Sequence, residues 1–374
     1  MRHRAAGVCM NNTEQRDLLI VSRNFNPGHL AHLLATHRLI CELGCAATLL
    51  VHPAFQSLLA DSPVRSTTRL LNAEFRHRSR LLIVWFPSIR ALLDIILSKI
   101  LFRRCEIVYV FHEPFDSIQS YLAAGFGSIK TFKIVLVSII NYFIVLASSK
   151  IILPSSKAVD FFKKRYLHTN KPYARIPLIF DDEAGVIAPF EHRRFIAYIG
   201  TVAADHAFED FMAYALRAVA SGSFKELSFL IATRSTLPST LMARIAAVDT
   251  NGRIVIRQGK PMTAAEIGCC YRESVVVWNA YRRSMQSGVL PMAYMYGTPL
   301  LVAATNRSEF FVDGENGVEI SSRYDFSQIT AAIDLVVSDF NRLSIRCRAD
   351  FLDIFYYKAQ AVAFAEFIFG DAAL

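Results

Sequence analysis

Short apolar runs alternate along this chain with segments whose apolar positions recur every three or four residues. That alternation predicts parallel strands joined by crossover helices. In the first half, residues 17–22, 46–51, 81–86, 106–111 and 151–153 read as buried strands. Residues 29–43, stopped at Gly44, and 89–104 read as helices between them. In the second half, 194–200, 227–232, 253–257, 275–277 and 300–303 read as strands, with helices over 262–271 and 289–296. The irregular stretch 172–189, acidic around Asp181, Asp182 and Glu183, reads as a linker. The last apolar segment, 351–369, reads as a helix. The predicted class is α/β, with one Rossmann-like domain over 1–185, a second over 190–350 and a closing helix in 351–374.

Two apolar segments of the first half stand out. Residues 134–146 are apolar except for Ser138, Asn141 and Tyr142, and follow Lys130 and Lys133. The run is shorter than the roughly 18–20 residues of a spanning helix, so it reads as a core helix or one that dips into a single leaflet. The helix at 89–104 sets a wide apolar part against a basic end, Arg103 and Arg104. It reads as sheet-packing or as membrane-surface.

Composition narrows the classes. A chain of 374 residues suffices for about two domains. A hydrophobic share of 53% and a mean hydropathy of +0.31 argue against disorder. The net charge of +9 and pI near 9.2 point to an anionic membrane surface and phosphate-bearing substrates. The basic residues are scattered and no nucleic-acid module is present, so no nucleic-acid partner is expected. Seven cysteines form no disulfide framework, which predicts reduced, mostly buried thiols in the cytoplasm. The polar opening MRHRAAGVCMNNTEQRD has no signal-peptide core. No His/Asp/Glu cluster has metal-ligand spacing, so no metal is expected.

Chemistry concentrates in 278–317. An apolar strand gives way to the polar turn Tyr281-Arg282-Arg283-Ser284-Met285-Gln286-Ser287-Gly288. A helix follows, stopped by Gly297 and Pro299, then a strand and a second polar loop. Ligands of open α/β sheets sit at the carboxyl ends of strands, where both loops lie. Gly288 before a helix N-terminus offers backbone N–H groups to a phosphate, and Arg282 and Arg283 add charge beside it.

Gly297-Thr298-Pro299, Leu300-Leu301-Val302, Glu309 and Asp313-Gly314-Glu315-Asn316-Gly317 resemble, in kind, order and spacing, the donor region of retaining GT-B glycosyltransferases. The resemblance is to glycosyltransferase family 4 in particular. It implies two Rossmann-like domains facing a cleft, with the C-terminal helix packing back across both. It also implies transfer of a sugar from a nucleotide diphosphate donor, retaining and without metal or cofactor. Gln286-Ser287-Gly288 stands as a variant of the family's glycine-rich turn, and the family's paired glutamates fall on Met292 and Ser284. After Gly200, the family's arginine and lysine fall on Thr201 and about His206. Donor binding is therefore expected from Arg234, Arg282, Arg283, Gln286, Ser287, Gly288, Glu309 and Gly200. His112, just past the strand at 106–111, matches a family histidine beside the transferred sugar and is the expected catalytic residue. Gly28, Glu113 and Asp116 are expected on the acceptor side. His29 and His32 either face that side or serve as first-turn polar residues.

The expected function is sugar transfer to a lipid-linked saccharide in surface polysaccharide or lipopolysaccharide assembly. The expected location is cytoplasmic, peripheral at the inner face of the plasma membrane. Rival readings are a non-catalytic GT-B scaffold and a nucleotide-sugar epimerase.

Overall fold

The computed structural model describes residues 17–60, 62–70, 79–102, 105–260, 262–283 and 287–370. Gln286, Ser284, Met285, Arg103 and Arg104 lie outside the described residues. The chain divides into two compact units. One holds the described residues up to Ser117, then 129–181, and those from Ile354 on; the other holds 118–128 and 182–353.

The first unit is built on β1 (Asp17–Ser22), β2 (Ala46–Val51), β3 (Ser66–Thr67), β4 (Ser79–Trp85), β5 (Glu106–Val110), β6 (Lys150–Leu153) and β7 (Tyr173–Arg175). They form a parallel sheet in the order β3-β2-β1-β4-β5-β6-β7. Leu18, Leu19, Ile20 and Val21 are fully buried, because a strand covered on both faces needs an unbroken apolar run. Its helices are α1 (Leu30–Glu42), α2 (Ile89–Leu101), α4 (Ser128–Ala147) and α5 (Ser156–Tyr166), while α3 (Ile118–Ala123) belongs to the second unit. Ser88 and Ser155 cap α2 and α5 by accepting the N–H groups of Ala91 and Ala158. Ala91 and Ile95 of α2, Ile144 and Val145 of α4, and Phe162 of α5 share one core with Leu82, Val84, Ile107 and Tyr109.

The second unit holds β8 (Phe195–Ile199), β9 (Ser228–Ala232), β10 (Ile254–Arg257), β11 (Ser274–Asn279), β12 (Leu300–Ala303) and β13 (Gly317–Ile320). All pair in parallel, in the order β10-β9-β8-β11-β12-β13. Around them lie α6 (Phe208–Ser221), α7 (Ser239–Val248), α8 (Ala264–Arg272), α9 (Val289–Met295), α10 (Phe326–Ser338) and α11 (Phe340–Asp350). Gly297 and Gly317 are sterically required. Gly297 ends α9 at φ 62°, and a Cβ there would lie 2.6 Å from Ser344 Oγ. A Cβ on Gly317 would lie 2.2 Å from the Leu300 carbonyl oxygen.

Arg193 ties this unit together from inside. Its buried guanidinium donates to the carbonyls of Ala188, Ser274 and Tyr296 and to Thr298 Oγ1, and lies 4.7 Å from the Phe340 ring centroid. Burial lowers its pKa to about 10.

Three expectations are corrected. The stretch read as a linker contains β7, paired with β6. The apolar run at 134–146 is part of a longer helix: α4 has 20 residues, because it begins at Ser128 and carries Lys130 and Lys133 on its exposed side. Its length and composition are sufficient to cross a membrane. Residues 351–369 are not one helix. A π-helical turn (Phe351–Phe355) leads to a backbone bridge with Phe180, a 3-10 turn (Tyr357–Gln360) and then α12 (Ala361–Phe369). The bridge diverts the backbone: Phe180 N–H donates to Phe355 O, and Tyr357 N–H to Phe180 O.

Candidate functional site

Each sheet reverses its strand order at one place, between β1 and β4 in the first unit and between β8 and β11 in the second. Loops diverge there at the carboxyl edge and leave room for a ligand. The residues at each reversal are described within their own unit.

In the second unit, β8 runs into Gly200 and Thr201. The Thr201 carbonyl accepts from Tyr198 Oη at 2.6 Å and lies 3.1 Å from His206 Nδ1. The His206 ring stacks on Tyr281, with centroids 4.4 Å apart and planes 6° apart. The Asp205 carbonyl accepts the Arg282 N–H at 2.8 Å. Asp210, in the first turn of α6, accepts from Arg282 at 3.0 Å on both carboxylate oxygens and lies 3.5 Å from Arg323 Nε. Arg323 also donates to Thr305 Oγ1 at 3.2 Å. One carboxylate thus sits between two guanidiniums, with the Asp205 carboxylate 3.9 Å from His206 Nε2 nearby.

Arg283 is buried. It lies 4.0 Å from the Tyr121 ring centroid, and its Nη2 donates to Tyr121 Oη at 3.0 Å. Neither residue of the arginine pair is a solvated loop cation. Arg282 is tied to Asp210, and Arg283 to the aromatic ring brought by α3.

The other expected donor residues are placed as follows. Ser287 precedes α9, accepts the Val289 N–H at 3.2 Å, and hydrogen-bonds the buried Tyr281 hydroxyl. Gly288 is the residue before α9, with helical φ of −63°, and a Cβ on it would meet nothing within 4 Å. Arg234 and Glu309 are exposed on loops after β9 and β12. Gln286 lies outside the described residues.

Sequence reasoning missed Asp205, Asp210, Tyr281, Arg323 and Asn279. Asn279 ends β11; its buried Oδ1 accepts no hydrogen bond among the described residues. A buried acceptor at a sheet's carboxyl edge is costly unless something else fills it. An asparagine closing a Val-rich strand was the one signal available in the sequence.

In the first unit, three rings meet at the edge. β4 is followed by Phe86, which adopts φ 59°, a conformation a bulky side chain rarely takes. Its ring stacks on His29 with centroids 3.3 Å apart and lies 5.7 Å from His112. His112 follows β5 and has its pKa lowered by burial, a shift that neighbouring Glu113 opposes. His32 is buried, stacks on Trp85 and contacts the Ile179 carbonyl through Nδ1 at 3.2 Å. Burial brings its pKa down to about 4. Gly28 sits in the turn before α1, its N–H on Asn26 Oδ1. Glu113 is exposed, and the Asp116 carbonyl accepts from Arg165. The structure therefore gathers His29, Phe86 and His112, with His32 behind them. A group near neutral at physiological pH, on the edge of an apolar sheet, can accept or donate a hydrogen bond to a sugar hydroxyl.

Neither a protein-family model nor a curated protein sequence matches the chain. Solved structures do. The Anabaena protein HepE in complex with UDP and glucose matches with a TM-score of 0.67 at 13% identity, over 94% of this chain and 98% of that one. A glycosyltransferase from Rickettsia africae matches with a TM-score of 0.67 at 9% identity, over 95% and 98%. Sucrose-phosphate synthase from Thermosynechococcus elongatus matches with a TM-score of 0.66 at 11% identity, over 94% and 98%. The chain has the α/β GT-B fold, two parallel sheets with flanking helices, that these glycosyltransferases share.

Proposed function

We propose that this protein is a glycosyltransferase that moves a sugar from a nucleotide diphosphate sugar to a saccharide acceptor, in the manner of glycosyltransferase family 4. The observation that carries the reading is the carboxyl edge at the β8–β11 reversal. There the Asp210–Arg282–Arg323 cluster, the α9 entry at Gly288 and the buried Asn279 acceptor converge on one strand end. Structures of the same fold hold UDP with glucose, and UDP-glucose, in HepE.

In this reading the diphosphate lies by Gly200 and Ser287–Gly288, where backbone N–H groups and the Arg282 and Arg323 guanidiniums stabilise the departing charge without a metal. Asn279 Oδ1 accepts a hydrogen bond from the donor. His112, beside the Phe86 ring that stacks on His29, hydrogen-bonds the transferred sugar, and transfer retains anomeric configuration. The acceptor is a lipid-linked saccharide of a surface polysaccharide or lipopolysaccharide pathway, with Gly28, Glu113 and Asp116 on its side.

The test is a panel of nucleoside diphosphate sugars in a thermal-shift assay, followed by product analysis with an acceptor and a chelator. A donor at a hundredfold its Kd should stabilise by about 2.7 kcal/mol. Stabilisation by a donor together with a retained-configuration product in the presence of chelator is the expected result.

One observation favours a non-catalytic scaffold instead: Arg282 and Arg283, two of the three arginines that the sequence offered to a diphosphate, are held by internal partners. Binding of no nucleotide sugar would support it.

A further inference from the structure

The helix layer on one face of the first sheet carries an apolar stripe that faces outward. On α4, Ile129, Phe132, Leu136, Ile139, Phe143 and Leu146 are all exposed, Ile129 to 77% and Phe132 to 62%. Their spacing of three and four residues puts them along one side of the helix. On α2, Ile89, Leu93, Ile96, Leu97 and Ile100 are exposed, Ile100 to 72%. Both helices pack on the same core beneath the sheet, so the two stripes share a layer.

The charges in these helices are one-sided. Arg90 and Lys99 on α2, and Lys130 and Lys133 on α4, are exposed. The single acid in either helix, Asp94, is buried and paired with Arg23 at 2.5 Å. A second copy of this face would bring cations against cations, whereas an anionic bilayer complements both the stripe and its fringe.

Crossing is opposed by the topology. α4 runs directly into β6, which pairs in parallel with β5 in the first sheet, and α3 lies between β5 and α4. Its inner side buries Thr131, Asn141, Ile144 and Val145, and Asn141 Oδ1 accepts from Tyr109 Oη at 2.6 Å. The helix has the length to span but is fastened lengthwise.

We propose that the α2–α4 face docks this protein on an anionic phospholipid surface as a monotopic anchor, with both helices lying in the headgroup–acyl boundary. The proposal stands apart from the sugar-transfer reading, since lipid alone tests it. Purified full-length protein is floated with vesicles of phosphatidylcholine, with or without phosphatidylglycerol. Preferential flotation with phosphatidylglycerol, partly released by high salt, is expected. Phe132→Glu with Leu136→Glu should lower partitioning at least roughly tenfold, and Lys130→Glu with Lys133→Glu should erase the anionic preference. Both variants change exposed residues, and the thermal unfolding of each is compared with that of the wild type. Three results would overturn the proposal: no flotation with phosphatidylglycerol vesicles at low salt; protease-accessible residues on both faces of sealed vesicles carrying the protein, which marks a span; or self-association that Phe132→Glu abolishes while lipid binding is absent.

Discussion

Arg282 and Asp210, 72 residues apart in sequence, meet in a forked ion pair, with Arg282 Nη2 3.0 Å from each oxygen of the carboxylate. The pair fastens the loop after β11 to the first turn of α6. Asp210 is buried, and Arg323 competes for the same carboxylate. Asp210→Asn should therefore destabilise the protein by about 2 kcal/mol, a figure kept moderate because Arg282 is partly exposed. Urea unfolding checks it. Arg282→Lys should recover little, because an ammonium cannot reproduce the fork. An unchanged unfolding midpoint in Asp210→Asn would show that the pair does not hold the loop.

Gly288 separates ligand effects from folding effects. Its backbone is helical and a Cβ has open space. Gly288→Ala should leave the melting temperature unchanged or slightly raised, since alanine favours helix by up to about 1 kcal/mol. If a diphosphate approaches the backbone there, donor affinity should fall in the same variant, as read by calorimetry with a nucleoside diphosphate. Undiminished affinity would move the diphosphate elsewhere.

His112→Ala should lower turnover by roughly a hundredfold or more while nucleotide affinity stays near the wild type, as befits a group acting on the transferred sugar. Steady-state kinetics with a separate nucleotide titration make the distinction. Parallel losses of activity and thermal stability would assign His112 to support of the Phe86 stack instead.

Acid should destabilise the first unit through His32. Its folded pKa of about 4 lies below the ordinary 6.5. Between those values the unfolded chain binds a proton that the native state refuses. Stability is then flat above pH 6.5 and falls as pH drops toward 4, by up to about 3 kcal/mol. His112, also lowered by burial, acts in the same direction. Unfolding midpoints measured over this range should fall less steeply for His32→Gln. An identical slope would place the acid loss in other groups.

Much of the fold was legible because its signals are local. The bounds of β1, β2 and β12 follow from unbroken apolar runs. The turn at 313–317 follows from its Asp-Gly and Asn-Gly chemistry, and the structure shows Asn316 holding it by accepting the Val312 N–H and donating to Asp350. Gly297 and Pro299 marked the end of α9 correctly. By contrast, the break in the C-terminal segment depends on Phe180, far off in sequence, pairing with Tyr357.

The sequence by itself determined the alternation of strands and helices, the existence of two halves and the loops that carry polar chemistry, since periodicity and turn composition act within a few residues. Tertiary structure alone decided which charges those loops present. Asp210 claims Arg282, and Tyr121 of α3 claims Arg283. It also decided that α4 lies along its sheet with an apolar side outward, because buried Asn141, Ile144 and Val145 and the following strand β6 fix its orientation. Both outcomes rest on contacts between residues distant in the chain, and a linear pattern of residue types does not encode which distant partner a side chain will find.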